Sequence, residues 1–292
     1  MRRRYSVNQI IRQSLYKAND HSSVKNVKRV AGGSINESFF VETERSRYFI
    51  KYHVNSPSGF FELEADGLRL IKSTKSVSVP DVLAFSDKKG EAFLVMEWLE
   101  GRETSKTQIQ LGEQLAVMHQ NYGKKHGFNK DTFIGTLPQP NGLFSSWLDY
   151  YRDKRLKAQL EQGIRQQTIK GKRRDRLERL LERLGDWIPD EVPPSYLHGD
   201  LWGGNWLPGP GGKPYLIDPS FLYGDRHFEL AFTELFGGFT PVFYEAYASE
   251  FPIADYYEEI KPLYQLYYLL VHLNIFGKTY GGQVDAVLQR YV

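Results

Sequence analysis

The sequence contains no cysteine among its 292 residues. A chain without cysteine cannot form a disulfide framework, use a thiol nucleophile, or hold an iron–sulfur cluster or a cysteine-ligated zinc ion. Any catalytic chemistry must therefore come from carboxylates, histidines, lysines and hydroxyls. Aromatic residues, in contrast, make up 14% of the chain, which is enough to build a sizeable core without covalent staples.

Long apolar runs are also missing. No stretch approaches the roughly 18 apolar residues that a membrane span requires. Three arginines follow Met1, but polar residues between Ser6 and Asp20 interrupt every apolar segment, so the sequence predicts no signal peptide. We therefore expect a cytoplasmic protein with no membrane partner.

A strong excess of one charge is absent as well, because the formal net charge is only +3 at pH 7. The basic residues between Arg165 and Arg183 are interleaved with acidic ones, which is typical of a solvated helix face and not of a nucleic-acid interface. We expect no nucleic-acid partner. Nothing in the sequence specifies an oligomeric state.

The first hundred residues alternate strand-like and helix-like patterns between Gly, Pro and Asn punctuation. Helices are predicted at residues 6–17 and 60–71. Strands are predicted at residues 27–30, 38–42, 48–52, 82–85 and 92–96. This pattern indicates a small lobe, residues 1–97, with a five-stranded antiparallel sheet and one helix of particular importance at 60–71.

After Gly101 the pattern becomes helical. Helices are predicted at residues 107–122, 145–161, 166–187 and 256–276. Two further strands, at 205–207 and 213–217, flank a Pro- and Gly-rich turn and predict a hairpin. The sequence therefore predicts an α+β fold of two lobes, the second of which is mostly helical and covers residues 98–292.

A Gly-rich loop in the second lobe carries His198, Asp200 and Asn205 at the spacing H-x-D-x-x-x-x-N, the catalytic-loop pattern of kinases. Asp218 follows at the end of an apolar strand, and the predicted hairpin can bring it back toward Asn205. Each of these residues alone could be an ordinary turn former. Together they match phosphoryl transfer, which needs a carboxylate at the acceptor hydroxyl and a divalent metal held by carboxylate and amide oxygens.

The loop therefore predicts Asp200 as the catalytic residue. Asn205 and Asp218 are predicted to bind Mg²⁺. We expect His198 to brace the loop backbone and not to carry a proton. A protein kinase is disfavoured, because no Ala-Pro-Glu segment follows Asp218.

The predicted ATP site lies in the first lobe. Lys51 lies near the end of the third strand, and Glu62 and Glu64 lie on the helix that follows, in the order of the lysine–glutamate ion pair of kinases. Lys51 is predicted to bind the phosphates of ATP. Glu64 is favoured over Glu62 as its partner, because helical spacing allows only one of the two to face the cleft.

Three small residues, Gly32, Gly33 and Ser34, stand where a loop would cover the nucleotide and allow its backbone N–H groups to approach phosphate. A plain hairpin turn explains the two glycines equally well. Glu97 and Leu99, in the connection between the lobes, are predicted to offer backbone groups to adenine.

Several segments carry a resemblance to a known family: residues 32–36, 61–68, 111–119, 197–205, 218–225 and 236–239. In these segments the chain resembles the fructosamine (ketosamine) kinases, a branch of the aminoglycoside phosphotransferase-like enzymes. The resemblance covers nearly the whole chain. Two positions depart from it, since family members often have Ser at Gly203 and Ala at Ser220, but neither change removes a catalytic group.

This resemblance implies a bilobal, protein-kinase-like fold and ATP-dependent phosphorylation of the 3-hydroxyl of a ketoamine, a deglycation-type activity. The acceptor would be a fructosyl- or ribulosyl-amine, free or linked to protein. It implies that Asp200 accepts or orients the hydroxyl hydrogen. Trp202 is expected against the acceptor sugar or as a wedge between helices, and His272 is expected either at the acceptor or in the core.

Two other functions stay open. One is an aminoglycoside or other small-alcohol phosphotransferase on the same fold, although the near balance of charge at the C-terminus does not favour a polycationic substrate. The other is a catalytically silent kinase-like binding module, which the intact set of Lys51, Asp200 and Asp218 disfavours.

Overall fold

The computed structural model describes residues 7–31 and 36–292. The helices there are α1 (Val7–Lys17), α2 (Phe60–Ser73), α3 (Thr107–His119), α4 (Trp147–Tyr150), α5 (Lys157–Arg165), α6 (Lys172–Arg183), α7 (Arg226–Thr233), α8 (Pro241–Glu250), α9 (Tyr257–Phe276) and α10 (Gly281–Tyr291). A π-helical turn, Tyr151–Leu156, joins α4 to α5, and short 3₁₀ turns lie at Leu184–Asp186, Pro210–Gly212 and Lys278–Tyr280.

The strands in the same residues are β1 (Val24–Val30), β2 (Glu37–Thr43), β3 (Arg47–His53), β4 (Val82–Ser86), β5 (Ala92–Glu97), β6 (His126–Phe128), β7 (Thr132–Ile134), β8 (Leu137–Gln139), β9 (Gly142–Phe144), β10 (Ser195–Leu197), β11 (Trp206–Pro208), β12 (Pro214–Leu216) and β13 (Leu222–Gly224). The predicted α+β class is confirmed.

Packing divides the chain into two compact units. The first consists of Met1–Gln110 and Trp206–Pro219, and the second of Leu111–Asn205 and Ser220–Val292. The first unit therefore takes in the hairpin of β11 and β12, which lies far along the chain from the rest of that unit. This grouping differs from the lobes 1–97 and 98–292, and that boundary stays a prediction.

The first unit contains the predicted five-stranded antiparallel sheet, in the order β1-β2-β3-β5-β4. Side chains alternate between the faces of a strand, so Ile50 and Tyr52 of β3 point to one face and Lys51 to the other. Ile10 and Leu15 of α1 pack with the first of these faces and close a buried apolar core. The second face is left for Lys51 and the elements around it.

Helix α2 forms because its apolar residues recur at helical spacing. Phe61, Ala65 and Leu68 are buried on one side of it. Its first turn is capped from outside, because the backbone N–H groups of Phe61 and Glu62 each donate to the Asp87 carboxylate at 2.9 Å. A carboxylate at this end also complements the helix dipole. The cap fixes where the helix begins, and therefore on which side of the helix Glu64 lies.

The second unit is built around buried aromatic side chains. Trp147, Tyr151, Phe228, Tyr264 and Tyr268 are all at most 1% exposed. The Trp147 indole N–H donates to the Tyr264 hydroxyl at 2.8 Å, and the Tyr151 hydroxyl donates to a backbone carbonyl of α9 at 2.6 Å. The polar atoms of these rings are therefore satisfied inside the core, as burial requires. Helices α7 and α9 supply three of these five rings.

Several element predictions are confirmed. The strands of the first unit and helices α1, α2 and α9 lie where the periodicity placed them, within a few residues. The antiparallel pairing of β11 with β12 confirms the predicted hairpin.

Other element predictions are wrong in part. The helix predicted at 107–122 ends at His119, and the one at 145–161 is interrupted by the π-helical turn. The helix predicted at 166–187 begins only at Lys172, because Gln167 and Gly171 have positive φ values of 60° and 53° that no right-handed helix accommodates. The three-residue strands β6–β10 and β13 were missed, since three residues are too short to show an alternating pattern.

In residues 7–31 and 36–292, no helix combines the length and apolar character needed to cross a membrane. The cytoplasmic location stays a prediction.

Candidate active site

Lys51 is almost completely buried in the first unit. Its side chain is 5% exposed, and its ammonium donates to Glu64 Oε1 at 2.7 Å and to Asp218 Oδ1. Three elements therefore meet at one charge: the third strand supplies the lysine, α2 supplies Glu64, and the end of the β11–β12 hairpin supplies Asp218. The alternation of β3 makes this possible, because it turns Lys51 away from the core on the α1 side.

The choice between the two helix glutamates follows from the period of α2. Glu64 lies on the buried side with Phe61 and Leu68, whereas Glu62 lies on the exposed side. Residues three or four apart share a face of a helix and residues two apart do not. The structure therefore pairs Lys51 with Glu64, the favoured partner.

The carboxylates around Lys51 hold its side chain in the charged form. Burial on its own lowers the pKa of Lys51, but the carboxylates of Asp218 and Glu64 outweigh burial and raise that pKa above its ordinary value. Burial raises the pKa of the Glu64 carboxyl, and the Lys51 ammonium acts in the opposite direction. Lys51 is thus a fixed positive charge at neutral pH.

Asp218 has an unusual backbone conformation. Its φ is +57°, in the left-handed region, and it directly precedes Pro219. Asp is among the few residues other than Gly that adopt this region readily. Its side chain is 41% exposed, so one carboxylate that pairs with Lys51 remains open to solvent.

The sheet face that carries Lys51 also carries aromatic rings. Phe49 lies two residues before Lys51 on β3, and the Trp98 ring is 6.3 Å from it and 4.8 Å from the ring of Phe40. All three rings are half-buried. Sequence reasoning missed Phe40 and Phe49, although the alternation of β3 already placed Phe49 on the side of Lys51.

The predicted adenine contacts lie at the end of the same sheet. Glu97 is the last residue of β5, its backbone N–H donates to Asp81 O at 3.1 Å, and its carboxylate accepts from the Asp81 N–H at 2.9 Å. Leu99 lies two residues beyond the strand. Gly32, Gly33 and Ser34 lie outside the described residues. The roles of these five residues stay predictions.

The kinase-like loop lies in the second unit. The Asn205 amide nitrogen donates to the Asp200 carboxylate at 3.0 Å and to the Asp200 carbonyl at 2.7 Å. The Asp200 N–H donates to His198 Nδ1 at 3.2 Å. The side chain of His198 therefore contacts the loop backbone, and the contact with Asn205 fixes the orientation of Asp200.

The residue before Asp200 has to be a glycine. Gly199 has φ of +83°, and a Cβ atom added to it would lie 2.0 Å from the carbonyl oxygen of Ser220. Both the backbone angle and the lack of space exclude a side chain. The loop consequently packs tightly against the segment that resumes after Pro219.

The predicted Mg²⁺ ligands offer suitable atoms. Asp218 provides a carboxylate, and Asn205 provides its amide oxygen, because its nitrogen is directed to Asp200. Mg²⁺ prefers such oxygen ligands and is usually bound by one or two side chains together with phosphate oxygens and water. The residues fit the ion by their chemistry, and their role as ligands stays a prediction.

The two predicted acceptor residues can be placed relative to one segment of the second unit, residues 236–238. Trp202 is 40% exposed, and the next residue, Gly203, packs against the backbone of Gly237 and Gly238. His272 lies 4.6 Å from the ring of Phe236, which begins the same segment. Residues 236–238 thus contact His272 and the residue that follows Trp202.

His272 is a neutral, anchored residue. Burial lowers the pKa of its imidazole, and Nδ1 is 2.8 Å from the backbone carbonyl of Tyr268, to which it donates. Its ring lies among Phe236, Phe276 and Tyr280. Phe236 and Phe276 are 37% and 56% exposed, so this aromatic group forms part of the surface.

Comparisons with known proteins agree with this geometry. The family profile described as fructosamine kinase matches residues 6–292. A protein of Enterococcus faecium named a probable ketoamine kinase is 38% identical over 263 residues, which are 90% of this chain and 94% of that protein.

Solved structures agree as well. One that is described as a fructosamine-3-kinase of Thermobifida fusca has a TM-score of 0.87 and 28% identity, covering 97% of this chain and 98% of that one. A choline kinase of Streptococcus pneumoniae has a TM-score of 0.59 and 18% identity, covering 97% and 96%, and shows the kinase-like fold alone. With a family match over nearly its whole length and a relative above 30% identity, the chain belongs to the fructosamine kinase family.

Proposed function

We propose that the protein is an ATP-dependent ketoamine kinase that phosphorylates the 3-hydroxyl of a fructosyl- or ribulosyl-amine. The observation that carries the kinase assignment is the buried Lys51, paired with Glu64 and Asp218. The acceptor class is supported by the family and by the names of its relatives.

The first unit provides the groups for the phosphoryl donor. Lys51 binds the α/β-phosphates, and Glu64 holds the ammonium in place while phosphate is bound. The rings of Phe40, Phe49 and Trp98 give adenine an apolar surface on the same face of the sheet. The backbone groups of Glu97 and Leu99 supply hydrogen bonds to the base.

Mg²⁺ would be held by Asp218 and by the amide oxygen of Asn205. When bound, it neutralises charge on the transferring phosphoryl group. The half-exposed carboxylate of Asp218 can serve both Lys51 and a cation, because it has two oxygens and Lys51 contacts Oδ1.

Asp200 provides the acceptor chemistry. Its carboxylate accepts or orients the hydrogen of the attacking hydroxyl, and the hydrogen bond from Asn205 limits the positions that the carboxylate can take. Trp202 offers an exposed ring for one face of the sugar. His272 acts as a neutral support for the aromatic group that borders residues 236–238.

Asp200→Asn tests the assignment of the acceptor residue. We expect turnover with fructosyl-lysine to fall by about 100- to 10,000-fold, the range that general acid–base assistance typically contributes. Mg-ATP should still bind with unchanged affinity, since Lys51 and Glu64 remain. Steady-state ADP release and calorimetric titration with Mg-ATP measure the two effects.

The matched control is Asp186→Asn, an exposed aspartate of the same unit, which should leave both values unchanged. Full activity of Asp200→Asn would remove Asp200 from the mechanism.

A further inference from the structure

The backbone of Gly199 is held from both sides. Its N–H donates to Glu229 Oε1 at 2.7 Å, and its carbonyl accepts from the Tyr268 hydroxyl at 3.1 Å. Glu229 lies in α7 and Tyr268 in α9. Two helices of the core therefore hydrogen-bond to the backbone of Gly199, the residue before Asp200.

Glu229 is itself aligned by a second buried residue. Its Oε2 lies 2.9 Å from Nε2 of His119, the last residue of α3, and both side chains are 0% exposed. The other ring nitrogen of His119, Nδ1, lies 2.8 Å from the Tyr247 hydroxyl. The two oxygens of Glu229 are therefore divided between the loop and His119.

The hydrogen-bond directions in this chain follow from its charges. Burial works to raise the pKa of Glu229, but hydrogen bonds from His119 and Gly199 outweigh it and lower that pKa. Burial lowers the pKa of His119, so its ring is neutral. A neutral ring that donates from Nε2 to a carboxylate must accept at Nδ1, here from the Tyr247 hydroxyl. Every polar atom of the His119–Glu229 pair thus has a defined role.

A charged carboxylate on a backbone N–H inside the core is a strong constraint. Hydrogen bonds to charged groups are roughly twice as strong as those between neutral groups. Displacement of a reacting group by about 1 Å can reduce a rate by about 100-fold. A contact that fixes Gly199 therefore bears on the position of the carboxylate one residue later.

We infer that Glu229, aligned by His119, is a positioning residue for the reaction, since it fixes the peptide of Gly199 and through it the carboxylate of Asp200. This inference rests on the proposed function, in which Asp200 acts on the acceptor hydroxyl. Glu229 acts through the Gly199 backbone and not by contact with a substrate.

Two substitutions separate hydrogen bonding from packing. Glu229→Leu keeps the volume but leaves the Gly199 N–H without an acceptor, whereas Glu229→Gln keeps a neutral acceptor in the same place. We expect kcat with fructosyl-lysine to fall by at least about 100-fold in Glu229→Leu and by about fivefold in Glu229→Gln. KM for Mg-ATP should stay within about twofold of its original value in both.

A physical readout accompanies the kinetics. Hydrogen–deuterium exchange of the peptide covering residues 197–205, measured by mass spectrometry, should become faster in the order wild type, Glu229→Gln, Glu229→Leu. The matched control is Asp225→Asn, which removes another fully buried carboxylate one turn away at the N-cap of α7, where its partners are His227 and Tyr264. It should lower stability but leave kcat and the exchange of 197–205 unchanged.

Equal losses of kcat in Glu229→Leu and Asp225→Asn would reduce the effect to general destabilisation and overturn the inference. If Glu229→Leu does not fold, Glu229→Gln decides, and wild-type kcat with unchanged exchange would overturn it. Asp200→Asn separates a failure of the positioning role of Glu229 from a failure of the proposed function. If that variant is inactive while the Glu229 variants behave as wild type, only the positioning role fails, whereas an active Asp200→Asn refutes the proposed function.

Discussion

The Lys51 ammonium is charged although its side chain is almost completely buried. A buried ammonium is stable only when carboxylates and hydrogen bonds replace its hydration. Glu64 and Asp218 do this together, but they differ in exposure, since the Glu64 side chain is 10% exposed and that of Asp218 is 41% exposed. Glu64 is consequently the fixed partner, and Asp218 is the partner that a ligand can reach.

Glu64→Gln tests the fixed partner. The variant keeps the shape of the side chain but loses the charge-assisted hydrogen bond, which is equivalent to about 1.5–3 kcal/mol. We expect kcat/KM for Mg-ATP to fall by about 10- to 100-fold. Glu62→Gln, two residues away on the exposed side of the same helix, is the matched control and should change nothing. Similar losses in both variants would contradict the assignment of Glu64.

At the scale of elements, a second carboxylate joins α1 to the sheet of the first unit. Asp20 lies three residues beyond α1, and its Oδ2 accepts hydrogen bonds from the hydroxyls of Thr43 in β2 and Tyr48 in β3 at 2.7 and 2.8 Å. Its Oδ1 accepts from the backbone N–H and the hydroxyl of Ser22. Burial on its own would raise the pKa of Asp20, but these hydrogen bonds outweigh it and hold the pKa well below its usual value.

This lowered pKa makes the stability of the first unit depend on pH in one direction. A group whose pKa is lower in the folded state stabilises the fold above its unfolded pKa of about 4 and loses that effect as the pH falls toward the folded value. We expect Asp20→Asn to lower the free energy of unfolding by about 2 kcal/mol at pH 7, because its single amide oxygen cannot accept both from Ser22 and from the Thr43 and Tyr48 hydroxyls. The difference from wild type should shrink below about pH 4.

Urea denaturation of both proteins at pH 7, 5 and 3 measures this difference. Glu44→Gln, an exposed carboxylate on the turn after Thr43, is the control and should show no comparable loss. A gap between wild type and Asp20→Asn that stays constant from pH 7 to pH 3 would contradict the role of the ionised carboxylate.

For the whole molecule, local patterns predicted the residues whose position depends on strand or helix period. The order of Lys51 before the helix glutamates predicted an ion pair, and helical spacing, which allows only one of Glu62 and Glu64 to face the cleft, accompanied the choice of Glu64. The hairpin was predicted from its Pro- and Gly-rich turn. These features need only a few neighbouring residues, so the sequence displays them directly.

The anchors of the catalytic loop could not be predicted in the same way. Glu229 lies 30 residues from Gly199, and His119 lies 110 residues from Glu229. The sequence does not show which atoms Glu229 contacts or that His119 aligns it. Such contacts depend on how α3, α7 and α9 pack, and periodicity within one element carries no information about that packing.

The central claim is that this chain transfers phosphate to a ketoamine. The most direct measurement compares kcat/KM for fructosyl-lysine, ribulosyl-lysine and an aminoglycoside with Mg-ATP, with phosphorus NMR locating the ester in each product. The account predicts higher values for the ketoamines and a phosphate on the sugar 3-hydroxyl. Equal or faster phosphorylation of the aminoglycoside, or an ester at another position of the ketoamine, would contradict it.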